Sequence, residues 1–283
     1  MRPERARAVR IVLLAVVVAV GCTFAGLWQW GRAEHRERAV EVLRSNWAAE
    51  PVALEEVLAS PAAPLAEDAA WRAVRLRGRY LEDATVLLRN RPVGGTPAFH
   101  LLEPFAIEAP GSPFDGAVLV VDRGWVPIGE DASVPAEVPG PPSGEVGLVV
   151  RLRPAEPVSG RQAPAGQTHS VAPRSVTTAP LLVEGAYGSL VSEDPAPAVL
   201  PAALERPSAD YGPHRSYAFQ WWVFALGALG GFGWLALREW RGTEGLSPSP
   251  AAPRPAPRRR SAEDEEDALL DAIEAQARET SSR

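Results

Sequence analysis

Two long uncharged runs constrain this chain more than any other feature. From Ile11 to Trp30 it reads IVLLAVVVAVGCTFAGLWQW, and from Tyr217 to Leu237 it reads YAFQWWVFALGALGGFGWLAL. At a rise of about 1.5 Å per residue, each run covers a hydrocarbon layer roughly 30 Å thick. A backbone in lipid must satisfy its own hydrogen bonds, so each run is expected to form a transmembrane α-helix in contact with membrane lipids. Trp28, Trp30, Trp221 and Trp222 crowd the ends that face the middle of the chain, with Trp234 and Trp240 at the far end of the second run. That is the distribution of an aromatic belt.

Arg2, Arg5, Arg7 and Arg10 precede the first run, and Arg238 and Arg241 follow the second. The positive-inside rule then places both termini in the cytoplasm and the central region outside it, although Arg32, Arg36 and Arg38 run against that assignment. A cleaved signal peptide fits less well, because the apolar core is too long and no small-x-small site precedes Trp28. The stretch Ala19–Cys22 has a faint lipoprotein look, with Ala19 standing where a larger aliphatic is expected. Ten residues before the first run are too few for a mitochondrial presequence. The organisation read from this is a cytoplasmic start (1–10), a first span (11–30), a helical extension and linker (31–70), an extracytoplasmic domain (71–216), a second span (217–237) and a cytoplasmic tail (238–283).

Cys22 is the sole cysteine, so the central region holds no internal disulfide and no cysteine metal cluster. A net charge of -6 argues against a nucleic-acid binder. Every basic side chain is Arg, with no Lys, which alongside abundant Ala, Pro and Gly reads as coding bias. Helical spacing continues from Arg32 to about Leu58, through Val40, Leu43 and Trp47.

Strand-like segments follow at Trp71–Leu81, Ala84–Asn90, His100–Ile107, Ala117–Val126 and Val146–Arg153, with Leu181–Val191 as a further candidate. Pro154–Pro180 reads as an irregular insertion. Five or six strands without alternating helices predict an antiparallel β-rich domain, a sheet or a small barrel, flanked by the two transmembrane helices. Beyond a Pro/Ser/Arg linker, Ser261–Asp264 opens an acidic helix candidate carrying Leu269, Leu270 and Ile273.

Enzyme signatures are missing: no Gly-rich phosphate loop, no HExxH and no G-x-S-x-G elbow. Among four histidines, His214 stands out, three residues before Tyr217 at the edge of the second run. A neutral imidazole there can ligate haem iron, with Arg32 or Arg215 meeting the propionates, or can simply be a hydrated interfacial side chain. Gln29 and Gln220 suit hydrogen bonding between the spans, and Gly227, Gly230, Gly231 and Gly233 suit close packing against the first helix or a partner helix.

A family resemblance gathers these pieces. Gly26–Arg32 (GLWQWGR) closes the first run. Gly78-Arg-Tyr80, Arg89-Asn-Arg91, Gly95-Thr-Pro97, Val121–Pro127 (VDRGWVP) and His214-x-x-Tyr217-Ala218-x-Gln220-Trp221 follow in order. This set resembles the Surfeit-locus-one family of cytochrome c oxidase assembly factors over most of Gly26–Ala225.

The resemblance implies a non-enzymatic factor of respiratory chain biogenesis in a bacterial plasma membrane. Its cofactor would be a transiently held haem a, and its partners cytochrome c oxidase subunit I and haem a synthase. By the same resemblance His214 would be the haem ligand, with Tyr217, Gln220, Trp221, Trp28, Gln29 and Arg32 as its surroundings. Arg123, Gly124 and Trp125 match a domain motif for which a structural strand end is an equal reading. Pro213 departs from the Asn that members often carry before the histidine. A haem-free membrane scaffold or accessory subunit of a respiratory complex is the alternative. The Ala/Arg/Pro-rich style with an acidic tail is that of an actinobacterial member.

Overall fold

The structure is a computed structural model that describes residues 3–130, 134–135 and 137–242. The acidic helix expected at 261–273 lies outside the described residues. Two units make up the chain. One is formed by the chain up to Phe24 and from Trp221 onward, and the other is Ala25–Gln220.

Both expected spans are helical. Helix α1 (Pro3–Ala48) and the last helix, His214–Gly242, are each long and apolar enough to cross a membrane. In the first unit, Ala8, Ala15 and Ala19 of the former and Ala225, Ala228 and Ala236 of the latter are buried, while large side chains such as Leu13, Val17, Phe24, Leu226 and Trp234 face outward. Small residues let two helices approach, and an outward apolar surface of this kind suits contact with lipid. The guanidinium of Arg5 lies 5.4 Å from the Trp240 ring, and Arg7 reaches Glu239 at 4.0 Å. The alanines, not the glycines, make this seam. A Cβ at Gly227, Gly230, Gly231 or Gly233 would meet nothing within 4 Å, so the expected packing of those glycines on the first helix does not occur.

In the second unit α1 runs on without a break past Trp30, through a stretch rich in Arg, Ala and Glu, all good helix formers. It stops at Ala48, because Pro51 denies the residue before it a helical backbone. Strands then follow in order: β1 (Val52–Ala53), β2 (Ala73–Tyr80), β3 (Val86–Leu88), β4 (Ala98–Ile107), β5 (Val118–Pro127), β6 (Val146–Pro154) and β7 (Gln167–Thr168). A one-turn helix α2 (Pro173–Val176), β8 (Ala186–Asp194) and α3 (His214–Gly242) complete the chain.

Five of these strands close into a ring. β2 pairs with β6, β6 with β8, β8 with β5, β5 with β4, and β4 returns to β2. This is a five-stranded Greek-key barrel of the OB type. The expectation of a purely antiparallel domain is corrected here: β5–β8, β1–β2 and β3–β7 are parallel pairs, so the sheet is mixed. Periodicity identifies strands but says nothing of their partners, and the long excursion after β6 brings β8 back alongside β5 in the same direction.

Closure depends on Gly78. Before it β2 pairs with β6, and from Gly78 to Tyr80 it pairs with β4. Its φ is +153°, and a Cβ there would lie 1.9 Å from the Ala106 carbonyl oxygen. Only glycine lets the two backbones come that near. Leu76, Phe105, Leu119, Leu148 and Val150 fill the interior, with Leu54 and Leu58 joining from the segment after α1.

Candidate functional site

The extension of α1 beyond Trp30 is a post to which the approach to α3 is tied. Arg36 donates to the carbonyls of Asp210 (2.8 Å) and Ser208 (3.1 Å). Arg44 donates to the Tyr211 hydroxyl at 2.7 Å, and Arg215 forms a bidentate pair with Glu37, both contacts at 2.6 Å. This explains part of the arginine cluster after the first span, which runs against the charge rule for orientation. Arg36 is there to bind backbone carbonyls.

At the foot of this arrangement, Nδ1 of His214 lies 3.0 Å from Oε1 of Gln29. The amide oxygen can only accept, so in this contact Nδ1 donates, the tautomer that puts the lone pair of a neutral ring on Nε2. Nε2 makes no hydrogen bond among the described residues. Gly212 (φ +69°) lies beside that edge, where a Cβ would stand 3.7 Å from Nε2. His214 and Gln29 are half-buried.

The other expected site residues divide. Arg32 has no carboxylate partner among the described residues, and its guanidinium lies 5.4 Å from the ring of Trp28, which is largely exposed. Arg215, offered as an alternative to Arg32, is committed to Glu37 and to the face of Trp30. Tyr217 is exposed, and Gln220 is exposed without a side-chain hydrogen bond among the described residues, where the expected tie between spans runs from Gln29 to His214. Trp221 belongs to the other unit, where its ring meets Phe224 edge-on at 6.0 Å.

Comparison with known proteins decides the family. A model of the SURF1 family matches residues 16–226. SURF1-like proteins of Mycobacterium bovis and of two Mycobacterium tuberculosis strains are 30% identical over 253 residues, covering 86% of this chain and 89% of theirs. The chain belongs to the SURF1 family. SURF1 proteins are generally cytochrome oxidase assembly factors and are not known enzymes.

Several SURF1 motif residues prove to be structural. Arg123 is fully buried and pairs with Glu193 at 2.9 Å, and it also donates to the Pro139 carbonyl. The Tyr80 hydroxyl donates to the same carboxylate at 2.9 Å; burial first, then the Glu193 charge, raises that phenol above its ordinary range. Gly124 (φ +137°) sits beneath the 201–202 backbone, where a Cβ would lie 2.5 Å from the Ala202 carbonyl oxygen. Trp125 exchanges backbone hydrogen bonds with Ala202, and its indole donates to the Ala203 carbonyl at 3.2 Å. The Arg-Gly-Trp run therefore seals the barrel with one side chain and pins the strap leading to α3 with the next two. Asn90 reaches His169, and Arg91 pairs with Glu156, fastening the excursion after β6.

Glu103, which no sequence motif singles out, lies inside the same barrel. It is 0% exposed; Thr85 donates to one of its oxygens, and the other has no hydrogen-bond partner among the described residues. Burial pushes its carboxyl up to about 7. A Glu two residues before an inward Phe105 on an apolar strand was the available signal.

Proposed function

We propose that this SURF1-family protein handles haem a for insertion into subunit I of a haem–copper oxidase, with His214 as a transient axial ligand through Nε2. The observation that carries this reading is the Gln29–His214 hydrogen bond, which leaves the Nε2 lone pair on the ring edge beside Gly212. Metal-ligating histidines as a rule donate their other ring N–H to a fixed acceptor in this way.

The donor set fits the group. His214 would hold the iron, and Arg32, without a carboxylate, would meet a propionate through charge-assisted hydrogen bonds. Trp28 and Tyr217 offer exposed aromatic surface toward an apolar macrocycle. Haem a supplies the redox-active iron of the recipient oxidase; this chain's residues bind and release it. A single histidine suits surrender of the cargo better than the paired ligands of an electron carrier. The setting that goes with this reading is a bacterial plasma membrane, both termini cytoplasmic and the barrel outside, with haem a synthase as donor.

The same hydrogen bond also clamps α3 to α1, which is what a haem-free scaffold for oxidase assembly requires. A visible spectrum of protein co-expressed with haem a synthesis separates the two. A haem a band in wild type that is lost in His214→Ala, with unchanged near-UV circular dichroism, supports the carrier. Colourless wild type that still restores oxidase assembly leaves the scaffold.

A further inference from the structure

The outer face of the barrel carries an arrangement that haem handling does not use. β6 places Arg151 and Arg153 two residues apart on one face, and both guanidiniums lie on indoles. Arg151 stands 4.0 Å from the ring of Trp47, near the end of α1, and Arg153 stands 3.8 Å from Trp71, just before β2. Arg206, on the strap toward α3, approaches Trp47 as well, at 5.2 Å. The two indoles are 5.9 Å apart, and the groove they floor has a volume of about 650 Å³, within the range of ligand sites.

None of the three arginines pairs with a carboxylate among the described residues, although Glu205 and Asp122 also border the groove and Asp122 is occupied by His100. Among the described residues, Arg151 donates hydrogen bonds only to the carbonyls of Asn46 and Trp71, each at 3.5 Å, and its buried Nε has no hydrogen-bond partner. Burial, and then the charge of Arg206, lower its basicity. Like charges are gathered here on aromatic platforms, and no carboxylate of the described residues pairs with them.

We propose that this groove binds an extended acidic peptide segment of a partner protein, with carboxylates at alternate positions. A guanidinium whose face is covered by an indole keeps its edge, and that fork matches a carboxylate bidentately. Arg151 and Arg153 are spaced as i and i+2 of a strand, so an extended chain alongside would meet them with residues of the same spacing. The basic face continues onto β2. Arg75 and Arg77, both exposed, stand in register with Val149 and Gly147 of β6, which lengthens the stripe beyond what one small anion occupies. Lipid headgroups fit less well: Trp47 lies about 25 Å further along α1 than Trp30, the end of the apolar run. The proposal does not depend on His214 carrying haem.

The test uses the full chain in detergent and fluorescein-labelled peptides of alternating Glu and Val. The controls are the Lys/Val counterpart, a Glu-block isomer and inorganic phosphate as competitor. Anisotropy is expected to show saturable, salt-sensitive binding of the alternating acidic peptide, weakened at least tenfold by R151Q/R153Q. Arg206→Gln, on an exposed strap, should weaken it several-fold without risk to the barrel, and Arg153→Lys should weaken it although the charge is kept. Equal binding of the Lys peptide, indifference to the Arg206 substitution, or displacement by phosphate at concentrations comparable to the peptide would each overturn the assignment.

Discussion

The amide oxygen of Gln29 faces Nδ1 of His214 at 3.0 Å across the two long helices of the chain. One contact therefore ties the membrane end of α1 to the first residue of α3 and sets which imidazole nitrogen is left with a lone pair. Gln29→Leu removes the acceptor while keeping a similar volume. If His214 ligates haem iron, haem a retention should fall by roughly 10- to 100-fold, as for other partners of metal-bound histidines. Gln29→Glu should retain the haem and shift its midpoint potential downward, because a charged acceptor makes the ring a stronger donor. Titrations of detergent-purified protein, followed by the Soret band and by redox poise, read both effects.

Glu103 should make the barrel less stable as pH rises. Its folded-state carboxyl titrates at about 7 against an ordinary value of 4.5, so between those values the folded chain holds a proton that the unfolded chain has lost. Stability attributable to this group is full below about pH 4.5 and is lost as pH climbs through 7, by on the order of 1–3 kcal/mol. Glu103→Gln keeps an oxygen for the Thr85 hydroxyl and carries no charge to bury. Urea unfolding at pH 5 and pH 8 should show a decline in wild type that is flattened in the variant, with the variant more stable at pH 8.

Arg123 and Glu193 form a fully buried pair, and removing one partner strands the other's charge. Arg123→Met should cost about 3–5 kcal/mol. Adding Glu193→Gln to it should recover part of that loss, since no ion is then left without a counter-charge. A double-mutant cycle from denaturant midpoints measures the difference; additive single effects would mean that the two side chains do not act as a pair.

Gly78→Ala should prevent closure of the barrel. The new methyl would stand 1.9 Å from the Ala106 carbonyl oxygen, so the backbone pairing between β2 and β4 has to open. Loss of the near-UV circular dichroism of the barrel, with the helical far-UV signal of α1 and α3 retained, is the expected result. Gly95→Ala, in a loop where no atom lies within 4 Å of the added carbon, should leave the near-UV signal in place, although its φ of +83° adds about 1 kcal/mol of strain.

Local chemistry in the sequence decided a good deal about this protein. Runs of twenty uncharged residues need a helix wherever they lie in lipid, so α1 and α3 follow from Ile11–Trp30 and Tyr217–Leu237 alone. Alternation of apolar and polar residues marks a strand, and the strands β2 to β6 fall within a few residues of the expected segments. His214 was legible as a site candidate because a lone imidazole at the edge of an apolar run is rare and chemically useful. The ordered motifs carried the family.

Tertiary structure decided the rest, because each remaining feature depends on residues far apart in the chain. The parallel pairing of β5 with β8 is a matter of where the chain returns after residue 154, which no local period encodes. Gln29 and His214 are 185 positions apart, and their hydrogen bond exists only when α3 comes back to α1. The Arg-Gly-Trp run looked equally suited to a site and to a strand end until burial put Arg123 inside the barrel against Glu193. Trp47, Trp71, the Arg151/Arg153 pair and Arg206 come from four separate segments that no sequence spacing links. Their cation–π contacts arise from barrel closure and from the length of α1, so the groove they form could be read only from the folded chain.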